Sequence, residues 1–287
     1  LGLQLGKKAG ANPYKFGMIG ASDTHTALST TREENYFGKY KSAEPGPDRH
    51  NTEVVPAQDP SLRIFASQEV ASGLTVVWAR DNTRGEIFDA MKRKEVYATT
   101  GTRMRVRVFA GWDFEADEVM RPDFIAQGYR RGVPMGGDLR NAPKGKAPAF
   151  MVRALRDPDG ANLDRIQIIK GWLDAKGETH ERIYDVAVSD GRKIDADGRV
   201  KELVGNTVDL ATATYTNTIG AAVLGAHWVD PDFDPKQHAF YYVRVLEIPT
   251  PRWTTYDAVF YNIDRPDNVP ATQQDQAYTS PVWYTPH

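Results

Sequence analysis

Apolar positions along this chain fall into short clusters whose spacing changes near residue 101, and that change predicts two differently built regions. Leu74-Thr75-Val76-Val77-Trp78-Ala79 is rich in β-branched and aromatic residues and reads as a strand. Thr83-Arg84-Gly85-Glu86 then fits a capping box. Ile87, Phe88 and Met91 supply the buried face of a helix, with Lys92, Arg93 and Lys94 at its last turn. Val96-Tyr97-Ala98-Thr99-Thr100 follows as a second strand. Strand, helix and strand in that order predict a β-α-β unit of the kind that builds parallel sheets and barrels. Upstream, residues 14–21 read as a first buried strand and residues 1–12 as a flexible start. Residues 30–60, with Pro45, Pro47, Pro56 and Pro60, read as a long loop with little regular structure.

Past Gly101 the period shortens to two. Arg103, Arg105 and Arg107 alternate with Met104, Val106 and Val108, as in a half-buried strand. Further strand-like runs stand at 149–155, 166–172, 183–188, 239–246 and 257–261, separated by Gly, Pro, Asp and Asn clusters. Few helix signals intervene. The pattern predicts an α/β portion over 1–101 and an antiparallel, β-sandwich-like domain over 102–287.

Composition narrows function more than fold. The chain has 287 residues, 40% hydrophobic and 26% charged, enough for two ordinary domains with their own cores. A net charge of -2 gives no electrostatic footprint for nucleic acid or for an anionic membrane, which leaves small-molecule ligands. The absence of cysteine excludes disulfides, thiolate zinc sites and a cysteine nucleophile, and leaves cytoplasm and periplasm equally open. The longest weakly polar run, 219–226, is far short of the roughly 18 to 20 residues that span a bilayer, so a soluble protein is expected.

The densest candidate chemistry is Phe16-Gly17-Met18-Ile19-Gly20-Ala21-Ser22-Asp23-Thr24-His25, where an apolar run stops at an acid and an imidazole two residues apart. In α/β folds, ligands collect at the carboxyl ends of strands. If the extended geometry continues, Asp23 and His25 point to one side and can share a metal ion. A capped turn after a strand accounts for the same residues. Asp48-Arg49-His50 repeats the spacing without an apolar run before it, and reads as a solvated loop. Asp230-Pro231-Asp232-Phe233-Asp234 starts like a calcium loop, but Pro235 and Tyr241 stand where that loop needs Gly and Glu, so a turn is expected. Asp195-Ala196-Asp197-Gly198 is likewise turn chemistry, and neither it nor His180 is assigned a metal. Ser22 approaches a nucleophile elbow, with Thr24 in place of the final Gly. Arg103, nearest the first region, is the arginine of its row best placed to meet an anionic group.

Gly20-Ala21-Ser22-Asp23-Thr24-His25 resembles the last metal-binding motif of the polymerase and histidinol phosphatase (PHP) superfamily, Gly-Ser-Asp-x-His. Further segments resemble an uncharacterised, mainly bacterial family in which a PHP-like domain precedes a β-rich one. These are Asn82-Thr83-Arg84 with Phe88-Asp89-Ala90-Met91, 97–103, 131–137, 247–253 and 278–286. The resemblance implies a partial PHP-like distorted β/α barrel segment, with Asp23 and His25 as metal ligands; beside it, guanidinium chemistry makes Arg103, or Arg252 next to Trp253, the candidate to orient an anionic substrate. The resemblance also implies two or three divalent ions (zinc, manganese or iron) that activate water for hydrolysis of a phosphoester or another ester or amide bond. The superfamily's opening His-x-His motif is not found in this chain. The remaining ligands are therefore expected from an N-terminal half preceding Leu1, without which activity would be incomplete. The competing reading is a non-catalytic β-sandwich module that binds a glycan or protein partner through Trp112, Trp172, Trp228, Trp253 and Trp283.

Overall fold

The protein is described from a computed structural model covering residues 1–286. Helix α1 (Gly2–Ala9) occupies the start expected to be flexible, and ends on Gly10, whose left-handed backbone (φ 73°) returns its N–H to Gly6. Residues 11–52 contain only short 3-10 turns, followed by a ribbon of β1 (Glu53–Val55) and β2 (Ile64–Phe65). Then come β3 (Leu74–Val77), α2 (Arg84–Lys92), β4 (Val96–Thr99), β5 (Arg105–Gly111), α3 (Phe124–Arg131), β6 (Gly132–Pro134) and β7 (Asp138–Leu139). The long strands follow: β8 (Ala149–Leu155), β9 (Leu163–Leu173), β10 (Thr179–Val188), β11 (Val223–Val229) and β12 (Ala239–Glu247). The chain finishes with β13 (Thr250–Pro251), α4 (Trp253–Tyr261), β14 (Thr272–Gln273), β15 (Gln276–Thr279) and β16 (Val282–Tyr284).

The protein is β-rich, mostly antiparallel, with few helices. One sheet runs β10-β9-β12-β15-β4-β3, with β16 beside β12 and β7 parallel to β16. The second runs β11-β8-β5-β6. The sheets face each other across one core. Val106, Val108, Phe150, Val152 and Ala154 from the smaller sheet meet Ile166, Ile168, Tyr241, Val243 and Val245 from the larger, all at 2% exposure or less. Burying each of the Val, Ile and Phe side chains contributes roughly 1.5–3 kcal/mol. The outer face of the smaller sheet is also dry, because Phe109 and Met151 pack with Phe124 of α3. On the far side of the larger sheet, Leu3 of α1 packs with Leu173 and Trp283.

Several expectations change. β3 and β4 are antiparallel, Leu74 opposite Thr99 and Val77 opposite Val96, so the helix between them sits in a hairpin loop. The chain leaves β3 and re-enters beside the same end, whereas a parallel crossover would have to travel back along the strand. Through β4 pairing with β15, this hairpin joins the larger sheet, which therefore takes strands from both sides of Gly101. Residues 257–261 are helical, as part of α4, which buries Trp253, Thr254 and Thr255 and leaves Phe260 exposed. Residues 14–21 form no strand, and Phe16 and Ile19 are exposed. Their backbone is satisfied piecemeal: Met18 N–H donates to Ser280 Oγ, Gly20 C=O accepts from Thr75 Oγ1, and Ala21 C=O accepts from Gly73 N–H.

Gly20 fixes how close this segment lies to β3, because a Cβ there would stand 2.4 Å from the Leu74 carbonyl oxygen. Gly20→Ala is expected to cost about 1–3 kcal/mol in urea unfolding. Gly85→Ala, where a Cβ meets open space in α2, is expected to be neutral or to stabilise by about 0.4–1 kcal/mol. Equal effects of the two would contradict the close approach. No helix among the described residues is long and apolar enough to cross a membrane.

Candidate functional site

Asp23 and His25 lie on a turn that leaves the segment beside β3, and both are exposed. Asp23 is left-handed (φ 52°), as is Ala27 (φ 61°), so extended geometry does not continue through the acid. Its relation to His25 is set by a turn. Ser22 Oγ accepts the Thr24 N–H at 3.3 Å, which gives this hydroxyl a turn-closing role; no base bonds to it among the described residues. The His25 N–H donates to the Lys39 carbonyl, and its ring stacks on Tyr40 with centroids 4.4 Å apart. The aspartate and imidazole are thus held by local backbone and by the loop of residues 30–60, with no strand end beneath them.

A second acid, Glu69, stands within electrostatic reach of them. Burial pushes the Glu69 carboxyl above its ordinary range; the Tyr36 hydrogen bond, Lys39 and His25 pull it down, and Asp23 pushes it up. Glu69 is therefore close enough to feel both sequence-expected ligands. Tyr36 Oη donates to Glu69 Oε2 at 3.0 Å, while Trp253 Nε1 and Arg252 Nη2 donate to the Glu69 carbonyl at 2.9 and 2.8 Å. Arg252 also reaches the Ser67 carbonyl, so it braces the segment carrying Glu69.

The long loop is fastened to α4 by two further groups. Glu33 accepts the Ala71 N–H at 2.6 Å and the Trp253 N–H at 2.8 Å. Arg49 is 6% exposed and forms a fork onto Asp257, at 2.5 and 2.7 Å, beneath the Trp253 ring. Asp48-Arg49-His50 is accordingly not a solvated loop: its arginine is an internal anchor. Neither Glu69 nor Glu33 carries a local sequence signal, since their partners lie 33 and 220 residues away.

Arg103 spends its guanidinium on Asp157 at 3.1 Å and Asp159 at 2.6 Å, with its side chain 58% exposed. Those aspartates rim a separate cavity of about 360 Å³ between the loop near Glu33 and the ends of the larger sheet. At its floor are Glu247 and Asp275. Burial raises Glu247 to about 8, and the neighbouring Asp275 adds to the rise. Burial likewise raises Asp275 to about 7.

Other motifs resolve as structure. Asp230 is buried, accepts Tyr241 Oη at 2.6 Å and pairs with Lys170 at 2.7 Å. Asp195 and Gly198 close a turn, with Gly198 left-handed (φ 78°). Asp174, Glu178 and His180 bring donor atoms within 4.8 Å of one another at an exposed hairpin. Asp174 already caps that turn through the Lys176 and Glu178 N–H groups, and His180 stacks on Trp172. No tryptophan is exposed among the described residues, so none supplies an open aromatic platform.

Over residues 1–286 the sequence matches a family described as a protein of unknown function (DUF3604). The chain belongs to that family. No curated protein and no solved structure matches it. For this DUF3604 chain the site must be read from its chemistry. Asp23, His25 and Glu69 share one electrostatic neighbourhood and are side chains of the types that ligate zinc, manganese or iron, but their donor atoms do not all lie within 4.8 Å of one another, as those of Asp174, Glu178 and His180 do.

Proposed function

We propose that this DUF3604 chain carries part of the metal centre of a PHP-type hydrolase acting on phosphoester, ester or amide bonds of a small, anionic substrate. The observation that supports this is that Glu69, from a distant part of the loop, lies in the electrostatic field of both members of the Asp-x-His pair. The antiparallel β3–β4 hairpin gives no support to a barrel ancestry for residues 1–101, so the reading rests on the donors. Asp23 and His25 would hold the ion, and Glu69 would have to swing closer to join them, because the three donors do not all lie within 4.8 Å of one another. When bound, such an ion supplies a water of lowered pKa and a Lewis acid for the developing oxyanion. Tyr40 fixes the His25 ring. Tyr36 occupies one oxygen of Glu69, and no donor reaches the other among the described residues. Three side chains fall short of the four to six donors such ions take, so the reading calls for further donors from water, substrate or another polypeptide segment.

The test is metal content by mass spectrometry after dialysis against zinc, manganese or iron. The unsubstituted chain is expected to retain at least about tenfold more metal than Asp23→Ala/His25→Ala, with Glu69→Gln in between. Equal content in all three would overturn the reading.

A further inference from the structure

We propose that the cavity floored by Glu247 and Asp275 is a second binding site, built for a small organic ammonium ion. Glu247 is 2% exposed; its Oε1 accepts Thr102 Oγ1 at 2.6 Å. No donor reaches Oε2 among the described residues, and that oxygen keeps its surface toward the cavity. Asp275 takes Thr100 Oγ1 at 2.6 Å and Gln273 at 3.4 Å through one oxygen and likewise leaves the other without a donor. Neither acid forms an ion pair among the described residues. The nearby cations do not pair with either acid: Arg103 holds Asp157 and Asp159, Arg32 holds Glu34 and Asp159, and Arg156, whose charge is felt at Glu247, donates to the Gly160 carbonyl. Buried carboxylates without an ion-pair partner cost several kcal/mol, and a cationic guest offsets that cost.

The lining favours an organic cation over a bare metal ion. No group of three clustered metal donors occurs in this cavity among the described residues. Tyr215 and Tyr256 line its wall, and burial holds both phenols above their ordinary range and therefore neutral. Neutral aromatic faces beside carboxylates are the usual surroundings of ammonium groups. The volume of about 360 Å³ accepts a small molecule. The site is distinct from Asp23, His25 and Glu69, and does not depend on the metal reading.

Calorimetric titration of the full chain at pH 8.5 tests it, with choline, ethanolamine and the neutral choline isostere 3,3-dimethylbutan-1-ol as probes. Choline or ethanolamine is expected to bind, at least about tenfold more tightly than the neutral alcohol. Glu247→Gln/Asp275→Asn is expected to lose that binding by a similar factor. Because the substitutions remove uncompensated charge, the variant should still melt cooperatively, and the melt is recorded alongside. Absence of binding by both amines, equal binding of the alcohol, unchanged binding in the folded variant, or displacement of the amine by calcium would each overturn the proposal.

Discussion

Arg49→Met is expected to destabilise the chain by about 3–5 kcal/mol in chemical denaturation, because it strands the largely buried Asp257 carboxylate without its ion-pair partner. The guanidinium donates to both Asp257 oxygens and to the Tyr36 carbonyl, at 2.5 to 2.7 Å, and lies 4.6 Å from the Trp253 ring centroid. Asp257→Asn should cost a similar amount. The double variant should cost about 0.5–3 kcal/mol less than the sum, since each single change already breaks the same pair. Trp253 also donates to the Glu69 carbonyl, so Arg49→Met should lower metal retention although it touches no proposed ligand. A loss below about 1 kcal/mol for both single variants would show that the loop is not latched to α4.

Stability should fall as pH rises from about 5 to 9, and Glu247→Gln should remove much of that fall. Burial raises Glu247 from 4.5 to about 8 and Asp275 from 3.8 to about 7. Asp157 adds to the rise on Glu247 and Arg156 opposes it, while Glu33 and Glu34 add to the rise on Asp275. Below about pH 4 both states are protonated and the folded chain keeps its full stability. Between there and pH 8 the folded state holds protons the unfolded chain has released, so stability is lost as pH climbs through the two raised values. The two acids interact and titrate as a pair, with a combined loss on the order of a few kcal/mol. Thermal melts at pH 5, 7 and 9 should show the variant gaining on the unsubstituted chain by about 2–4 °C for each kcal/mol recovered. Parallel curves would mean that these carboxyls are solvated.

What the sequence disclosed was local. β8 coincides with the expected 149–155, because an apolar run buried on both faces and bounded by Pro and Asp has few other uses. The alternation through Arg105 and Arg107 marks β5, with Val106 and Val108 inward, although Arg107 folds back over Trp78 at 3.7 Å. The Thr83 cap of α2 is present, as its hydroxyl accepts the Glu86 N–H at 3.4 Å. Strand direction was not legible, because the 74–100 pattern fits a hairpin and a crossover equally. Residues 257–261 misled because their apolar positions suit either period over so short a stretch. At the site, Asp23 and His25 stood out as neighbours in sequence. Glu69 and the Glu247–Asp275 pair did not, since only tertiary structure delivers them; Thr102 and Glu247 meet across 145 positions.

The position of β15 has a consequence for how the chain is made. This four-residue strand lies between β12 and β4 and is the link through which the β3–β4 hairpin joins the larger sheet. During vectorial synthesis the hairpin therefore waits, with an unpaired edge, until residue 279 has emerged. The sheet closes late and through contacts distant in sequence, a regime of slow folding and exposed edges. A stop codon or protease cut before Gln276 would cost far more than the few residues it removes, for it would leave two unjoined pieces of one sheet, each offering an open edge to other chains.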